Sequence, residues 1–118
     1  MKVFVVEDDV MILLSTEIML EELGCQVVGT AMGLDEALSK CSFVECDVAL
    51  LDVNIRGDRS FPVADILATR RVPFVFATGY GRDSIPVQYR EIPFVNKPYS
   101  LSELRHALAS ALEPRRRS

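Results

Sequence analysis

The sequence predicts an α/β fold, a five-stranded parallel sheet covered by helices on both faces. Three observations lead there. Short apolar runs rich in Val, Leu and Phe recur along the chain, each followed by a stretch with helical spacing of its apolar residues. Strands that alternate with helices join by right-handed crossovers into one parallel sheet. The 118 residues are 49% apolar, enough for the core of one domain and too few for two.

The elements follow in order. Val3-Phe4-Val5-Val6 reads as a buried strand. Asp9 then caps a helix running to Leu23, with an inner stripe of Ile12, Thr16, Met19, Leu20 and Leu23. Gly24 stops it as a left-handed C′ residue. A second strand covers Gln26 to Thr30, and Leu34, Ala37, Leu38 and Cys41 mark a short second helix. Val48-Ala49-Leu50-Leu51 is apolar throughout and reads as the central strand. After a loop with Gly57, Asp58 and Arg59, Ser60 and Pro62 open a third helix. Phe74 to Ala77 is the fourth strand and Phe94-Val95 the fifth. Between them Gly79 and Gly81 break the chain and Pro86 interrupts any helical stripe, so only a short or mobile helix is expected over 82–91. Ser100 and Glu103 form a capping box for the last helix, whose inner face is Leu101, Leu104, Ala107, Leu108, Ala111 and Leu112. Residues 1–113 are expected to form the domain and 114–118 a basic tail, with Arg115-Arg116-Arg117 as a solvated end.

Composition excludes several classes of function. The net charge of −4, from 13 basic and 17 acidic residues, gives no general attraction to nucleic acid, so no direct DNA binding is expected. Three cysteines without a Cys-x-x-Cys, and a single histidine, argue against a zinc site and a disulfide framework. They suit a reducing cytoplasm. No apolar run is long enough for membrane insertion, and the first residues do not resemble a signal peptide.

The informative polar residues stand at strand ends. Glu7 and Asp8 follow the first strand, Asp52 ends the third, Thr78 ends the fourth and Lys97 follows the fifth. Ligands of open parallel sheets bind at this carboxyl edge. Singly, each residue has a blander reading: a helix N-terminus for the acids, a loop acid, a strand-end Thr, a surface Lys. Their conjunction at four strand ends makes the blander readings improbable together. Three carboxylates in one place need raised pKa values or a cation, and an oxygen-only set suits a hard one. A carboxylate also attacks phosphorus to give an aspartyl phosphate. The moving phosphoryl group needs a metal, a cationic side chain and hydrogen-bond donors. Asp52, Asp8 with Glu7, Lys97 and Thr78 supply those parts.

On Val5-Val6-Glu7-Asp8, Leu50-Leu51-Asp52-Val53-Asn54, Ala77-Thr78-Gly79 and Lys97-Pro98-Tyr99 the chain resembles, over essentially its whole length, a response-regulator receiver domain of two-component signalling, like the chemotaxis regulators. The run from Pro73 to Gly81 further resembles a mainly alphaproteobacterial subgroup of stand-alone receivers with a Phe-Ala-Thr-Gly signature. The resemblance implies a flavodoxin-like, doubly wound sheet of strand order 2-1-3-4-5. It implies that Asp52 takes a phosphoryl group from a sensor histidine kinase or phosphotransfer protein. Mg²⁺, or Mn²⁺, would be held by Asp8, Asp52 and the carbonyl of Asn54, with Glu7 acting through water. Lys97 would pair with a phosphoryl oxygen, its ammonium aimed inward by a cis Lys97–Pro98 bond. Thr78 would move onto another oxygen, with the N–H groups of Asn54 and Gly79 assisting. A downstream protein target would read the change.

Three positions depart from the common pattern. Phe94 stands where many receivers have a switching Tyr or His, so Tyr80 or Tyr99 is a candidate to share the switch. Tyr80, two residues after Thr78, is placed to screen the phosphoryl group from water. The segment 82–91 is expected to be partly disordered without phosphate. The rival readings are a haloacid-dehalogenase-type phosphatase, a receiver-like module that is never phosphorylated, and a flavin-binding protein. The first needs an acid where Asn54 stands, and the last needs a phosphate cradle where Glu7-Asp8-Asp9 stands. A chain with no output domain signals through a partner, unless it is the receiver part of a longer protein.

Overall fold

The computed structural model describes residues 1–113; the basic tail expected at 114–118 lies outside the described residues. The elements are β1 (Lys2–Val6), α1 (Val10–Glu22), β2 (Gln26–Ala31), α2 (Leu34–Cys41), β3 (Val48–Asp52), β4 (Asn54–Ile55), β5 (Asp58–Arg59), α3 (Phe61–Thr69), β6 (Phe74–Thr78), β7 (Phe94–Asn96) and α4 (Leu101–Ala111). Five strands form a parallel sheet in the order β2-β1-β3-β6-β7. Set aside the β4–β5 hairpin, and this is the expected order 2-1-3-4-5.

Strand alternation builds two cores. Phe4, Val6, Ala49, Leu51, Phe74 and Phe76 point to one face, under α2 and α3. Val3, Val5, Val48, Leu50, Val75 and Ala77 point to the other, under α1 and α4. With a period of two and both faces covered, these strands have no polar side, which is why they read as unbroken apolar runs.

Asp9 caps α1 by accepting from the N–H groups of Met11 and Ile12, and Gly24 ends the turn at φ +81°. The Ser100–Glu103 capping box on α4 is complete. Three expectations change. In α1, Leu13, Thr16 and Leu20 are buried, whereas Ile12 is only partly so. That helix is apolar on its outer side too, at Val10, Met11, Leu14 and Ile18, so spacing alone does not fix which face turns inward. The loop after β3 is a small antiparallel hairpin, β4 with β5. The stretch 82–91 holds two single 3₁₀ turns, Arg82–Ser84 and Val87–Tyr89, and no α-helix. Pro86 separates them, and Tyr89 holds the second by packing against Phe61, Phe74 and Phe76 and donating its hydroxyl to Asp65. Among the described residues no helix is long and apolar enough to cross a membrane.

Candidate functional site

Parallel register brings the strand ends level. Val6 pairs with Leu51, Asp52 with Ala77 and Thr78 with Asn96. The chain leaves each strand over the same edge, where Glu7 N–H donates to the Ala31 carbonyl at 3.0 Å and Lys97 N–H to the Thr78 carbonyl at 2.8 Å. The residues that follow line a cleft of ≈ 320 Å³: Asp8, Asp52, Asn54, Thr78, Tyr80 and Lys97, with Val53 and Gly79 between them.

Glu7, Asp8 and Asp52 each offer a carboxylate oxygen within 4.8 Å of the others. Glu7 and Asp52 are buried, at 2% and 3% exposure. Lys97 Nζ lies 2.8 Å from Asp52 Oδ2 and 3.1 Å from Glu7 Oε1. Asp52 Oδ1 accepts from Asn54 N–H at 3.2 Å. Asp8 Oδ2 accepts from the N–H of Arg56 at 2.6 Å, and Arg56, like Gly57 after it, has the positive φ (+53°) of a two-residue hairpin turn.

The electrostatics follow from burial. Burial lifts Glu7 from 4.5 to about 7, and the neighbouring Asp52 carboxylate adds to the rise; the Asp9 N–H and Lys97 pull the other way. Asp52 is raised for the same reason, since its burial outweighs its contacts to Lys97 and Asn54 N–H. For Lys97, burial pulls downward, but Asp52 and Glu7 outweigh it and hold the ammonium above its ordinary value. One cation thus faces three acids. That oxygen-only donor set, short of positive charge, fits a hard cation such as Mg²⁺.

The threonine hydroxyl is engaged away from Asp52. Thr78 Oγ1 accepts from Tyr80 N–H at 2.9 Å and lies 2.8 Å from Ser84 Oγ, which itself donates to the Gly81 carbonyl at 2.8 Å. Tyr80 stands on the cleft rim, 78% exposed. Phe94 lies outside the cleft, packed toward the α3 face with the Arg82 guanidinium 5.1 Å from its ring centre. Tyr99 is buried on the opposite face, its hydroxyl 2.7 Å from Thr16 Oγ1. The Lys97–Pro98 bond is cis.

The structure therefore gathers Asp8, Asp52, Asn54, Thr78, Tyr80 and Lys97 around one cleft, places Glu7 behind Lys97, and leaves Phe94 and Tyr99 on opposite sides of the sheet. Sequence reasoning missed Arg56 and Ser84. Arg56 acts through its backbone, for which no side-chain pattern exists. Ser84 follows Gly81 in a turn whose geometry is visible only once folded.

Known proteins share this fold. The family profile described as the response regulator receiver domain matches residues 3–109. SdrG from Sphingomonas melonis Fr1 is 40% identical, with a TM-score of 0.84 over 94% of this chain and 95% of that one. The PhyR receiver domain of Erythrobacter litoralis is 25% identical, with a TM-score of 0.82 over 94% and 88%. The transcriptional regulatory protein PdtaR of Mycobacterium tuberculosis is 26% identical over 115 residues; the match covers 94% of this chain and 56% of PdtaR, so the chain spans little more than half of that relative.

Proposed function

Because the chain belongs to the response regulator receiver domain family, we propose that Asp52 is its phosphoryl acceptor and that the cleft around it is a phosphorylation-driven switch. The observation that carries the reading is the Asp52 carboxylate at the cleft floor, paired with Lys97 at 2.8 Å and grouped with Glu7 and Asp8. A structural acid has no cause to gather a buried and a half-buried acid around it.

In this reading a carboxylate oxygen of Asp52 attacks the phosphorus of a phosphohistidine on a sensor kinase or phosphotransfer protein. The new O–P bond forms as the P–N bond breaks, and the imidazole leaves with the electron pair. Lys97 then turns from the carboxylate to a phosphoryl oxygen. The N–H groups of Asn54 and Gly79 and the hydroxyl of Thr78 provide the neutral donors. Asp8, Asp52 and the Asn54 carbonyl would hold Mg²⁺ or Mn²⁺, with Glu7 behind them, and the metal would offset charge gathering on the phosphoryl oxygens. SdrG has also been solved in a BeF3-activated conformation, and the same response is proposed for this chain. The exposed apolar row Val10, Met11, Leu14 and Ile18 begins directly after the acidic run and supports docking of the phosphodonor there.

The chain would accept, hold and lose one phosphoryl group without turning over an external substrate. Its output would pass to a protein target, with Tyr80, Phe94 and Tyr99 as candidate readout residues. We place this exchange in the cytoplasm, a setting that the three unpaired cysteines suit. Incubation with Mg²⁺ and acetyl phosphate tests the reading by intact mass. One phosphoryl group should add to the wild type and none to Asp52→Asn. Steady release of phosphate from a phosphate ester would favour the phosphatase reading.

A further inference from the structure

We propose that Ser84 is a latch on Thr78, holding the hydroxyl proton that Thr78 must give to a phosphoryl oxygen on Asp52. The inference rests on the phosphoacceptor reading and adds the residue that resists the switch. A hydroxyl has one proton to give. Ser84 spends its own on the Gly81 carbonyl, at 2.8 Å. With the Ser84 proton on the Gly81 carbonyl, which the Ser84 N–H also reaches at 3.2 Å, the contact between Thr78 Oγ1 and Ser84 Oγ, also 2.8 Å, takes its proton from Thr78, and the latch rests on that assignment. On its other side Thr78 Oγ1 accepts from Tyr80 N–H. The single proton of the threonine is thus held inside its own loop, on Ser84, and the residue is 1% exposed. Donation to a phosphoryl oxygen requires the Ser84 bond to break first.

The loop is built so that this one bond matters. Gly81, at φ +77° and ψ −170°, makes a turn that side-chain-bearing residues rarely adopt, and that turn aims its carbonyl at Ser84. Beyond the turn the chain is tied down independently. Arg82 donates to the Arg90 carbonyl at 3.0 Å and covers Phe94, and Tyr89 is anchored among the aromatic rings and on Asp65. Release of Ser84 would free the turn at 79–81 and leave Arg82 and the 3₁₀ turn at Val87–Tyr89 in place. Ser84 is accordingly a positioning residue: it acts through Thr78 and touches no reacting atom.

The latched state lowers the share of molecules ready to receive the phosphoryl group, and the apparent rate falls by that share. A neutral hydrogen bond of ~1 kcal/mol net corresponds to about fivefold. The test is the rate of phosphoryl gain from acetyl phosphate and Mg²⁺, followed by intact mass on the full chain. Ser84→Ala should react about fivefold faster than wild type. Ser84→Thr, which restores the hydroxyl, should return to the wild-type rate. Ser84→Cys, similar in size with a weak hydrogen-bonding group, should follow Ser84→Ala and serves if the alanine variant folds poorly. In a Thr78→Ala background, replacing Ser84 should change nothing, a result that a merely structural role would not give. Equal rates in wild type, Ser84→Ala and Ser84→Cys, or the same acceleration without the Thr78 hydroxyl, would overturn the latch while leaving the acceptor reading intact. No mass gain in any chain, wild type included, would overturn the acceptor reading and the latch with it.

Discussion

Asp52→Asn should stabilise the metal-free protein, although it removes the residue on which the proposed function depends. The change is nearly isosteric and deletes one of three acids whose oxygens lie within 4.8 Å. At an effective dielectric of about 20, two unit charges at that distance repel by ~3.5 kcal/mol, and the Lys97–Asp52 attraction at 2.8 Å amounts to ~6 kcal/mol. Above about pH 7, where Glu7 is ionised, removing the Asp52 charge therefore relieves two repulsions that together match the attraction lost. What remains is the cost of holding a buried carboxylate out of water, several kcal/mol per ion, against which the new amide needs partners of its own. The raised pKa of Asp52 has the same sign: its ionised form is disfavoured in the fold. We expect a net gain of about 2 kcal/mol, or roughly 8 °C in Tm for a domain of this size. Thermal melts by circular dichroism in chelator, then in excess Mg²⁺, are the assay. Mg²⁺ should raise the wild-type Tm and raise that of Asp52→Asn much less, because the variant has lost a ligand that rewards the folded state. An Asn variant that melts at or below wild type in chelator, or Mg²⁺ shifts of equal size in both, would refute the reasoning.

Other perturbations should respond as follows. Lys97→Met keeps most of the apolar stem but leaves Glu7 and Asp52 without their shared cation, so the metal-free protein should lose ~3 kcal/mol in urea titrations at neutral pH, with part restored by Mg²⁺. Glu7, raised from 4.5 to about 7 in the fold, binds its proton more tightly than in the unfolded chain. Its contribution is complete below about 4.5 and is lost as pH rises through about 7, so metal-free stability should fall across that window and Glu7→Gln should flatten the slope. Asp52 acts in the same direction, whereas Glu36, lowered mainly by its hydrogen bond to Lys40, loses stability only as pH falls below its ordinary value. Tyr89→Phe keeps the aromatic packing and removes the hydroxyl that donates to Asp65, which should cost about 1 kcal/mol in chemical denaturation and speed amide exchange at 87–92.

The sequence was most legible where one physical rule decided the outcome. Fully apolar strands such as Val48 to Leu51 require cover on both faces, and that cover forces parallel crossovers. Parallel strands put every carboxyl end on one edge, so Asp8, Asp52, Thr78 and Lys97 met there as expected. Legibility failed where several rules competed. In α1, exposed Met11 and Leu14 are as apolar as buried Leu13; Thr16, Met19, Leu20 and Leu23 face the core as expected, and only in the first turn does Leu13 take the place expected for Ile12. After β3 a two-residue pairing carries no sequence pattern, yet its turn sets the Arg56 N–H on Asp8. Past Gly81 the chain follows contacts among side chains distant in sequence, Tyr89 with Asp65 and Arg82 with Phe94, which no local periodicity encodes. The same region separates the candidate aromatics. Tyr80 borders the cleft, whereas Tyr99 ties α1 to the loop after Lys97 through Thr16.

The central claim is that the acid cluster exists to place a phosphoryl group on one carboxylate. Borohydride reduces an aspartyl phosphate to homoserine, so it marks the acceptor permanently. Treating the Mg²⁺- and acetyl-phosphate-loaded chain with borohydride and sequencing its peptides by mass spectrometry should find homoserine at position 52 alone. Homoserine at Glu7-Asp8-Asp9 or elsewhere, or an unmodified Asp52 in a chain that has gained phosphate, would contradict it.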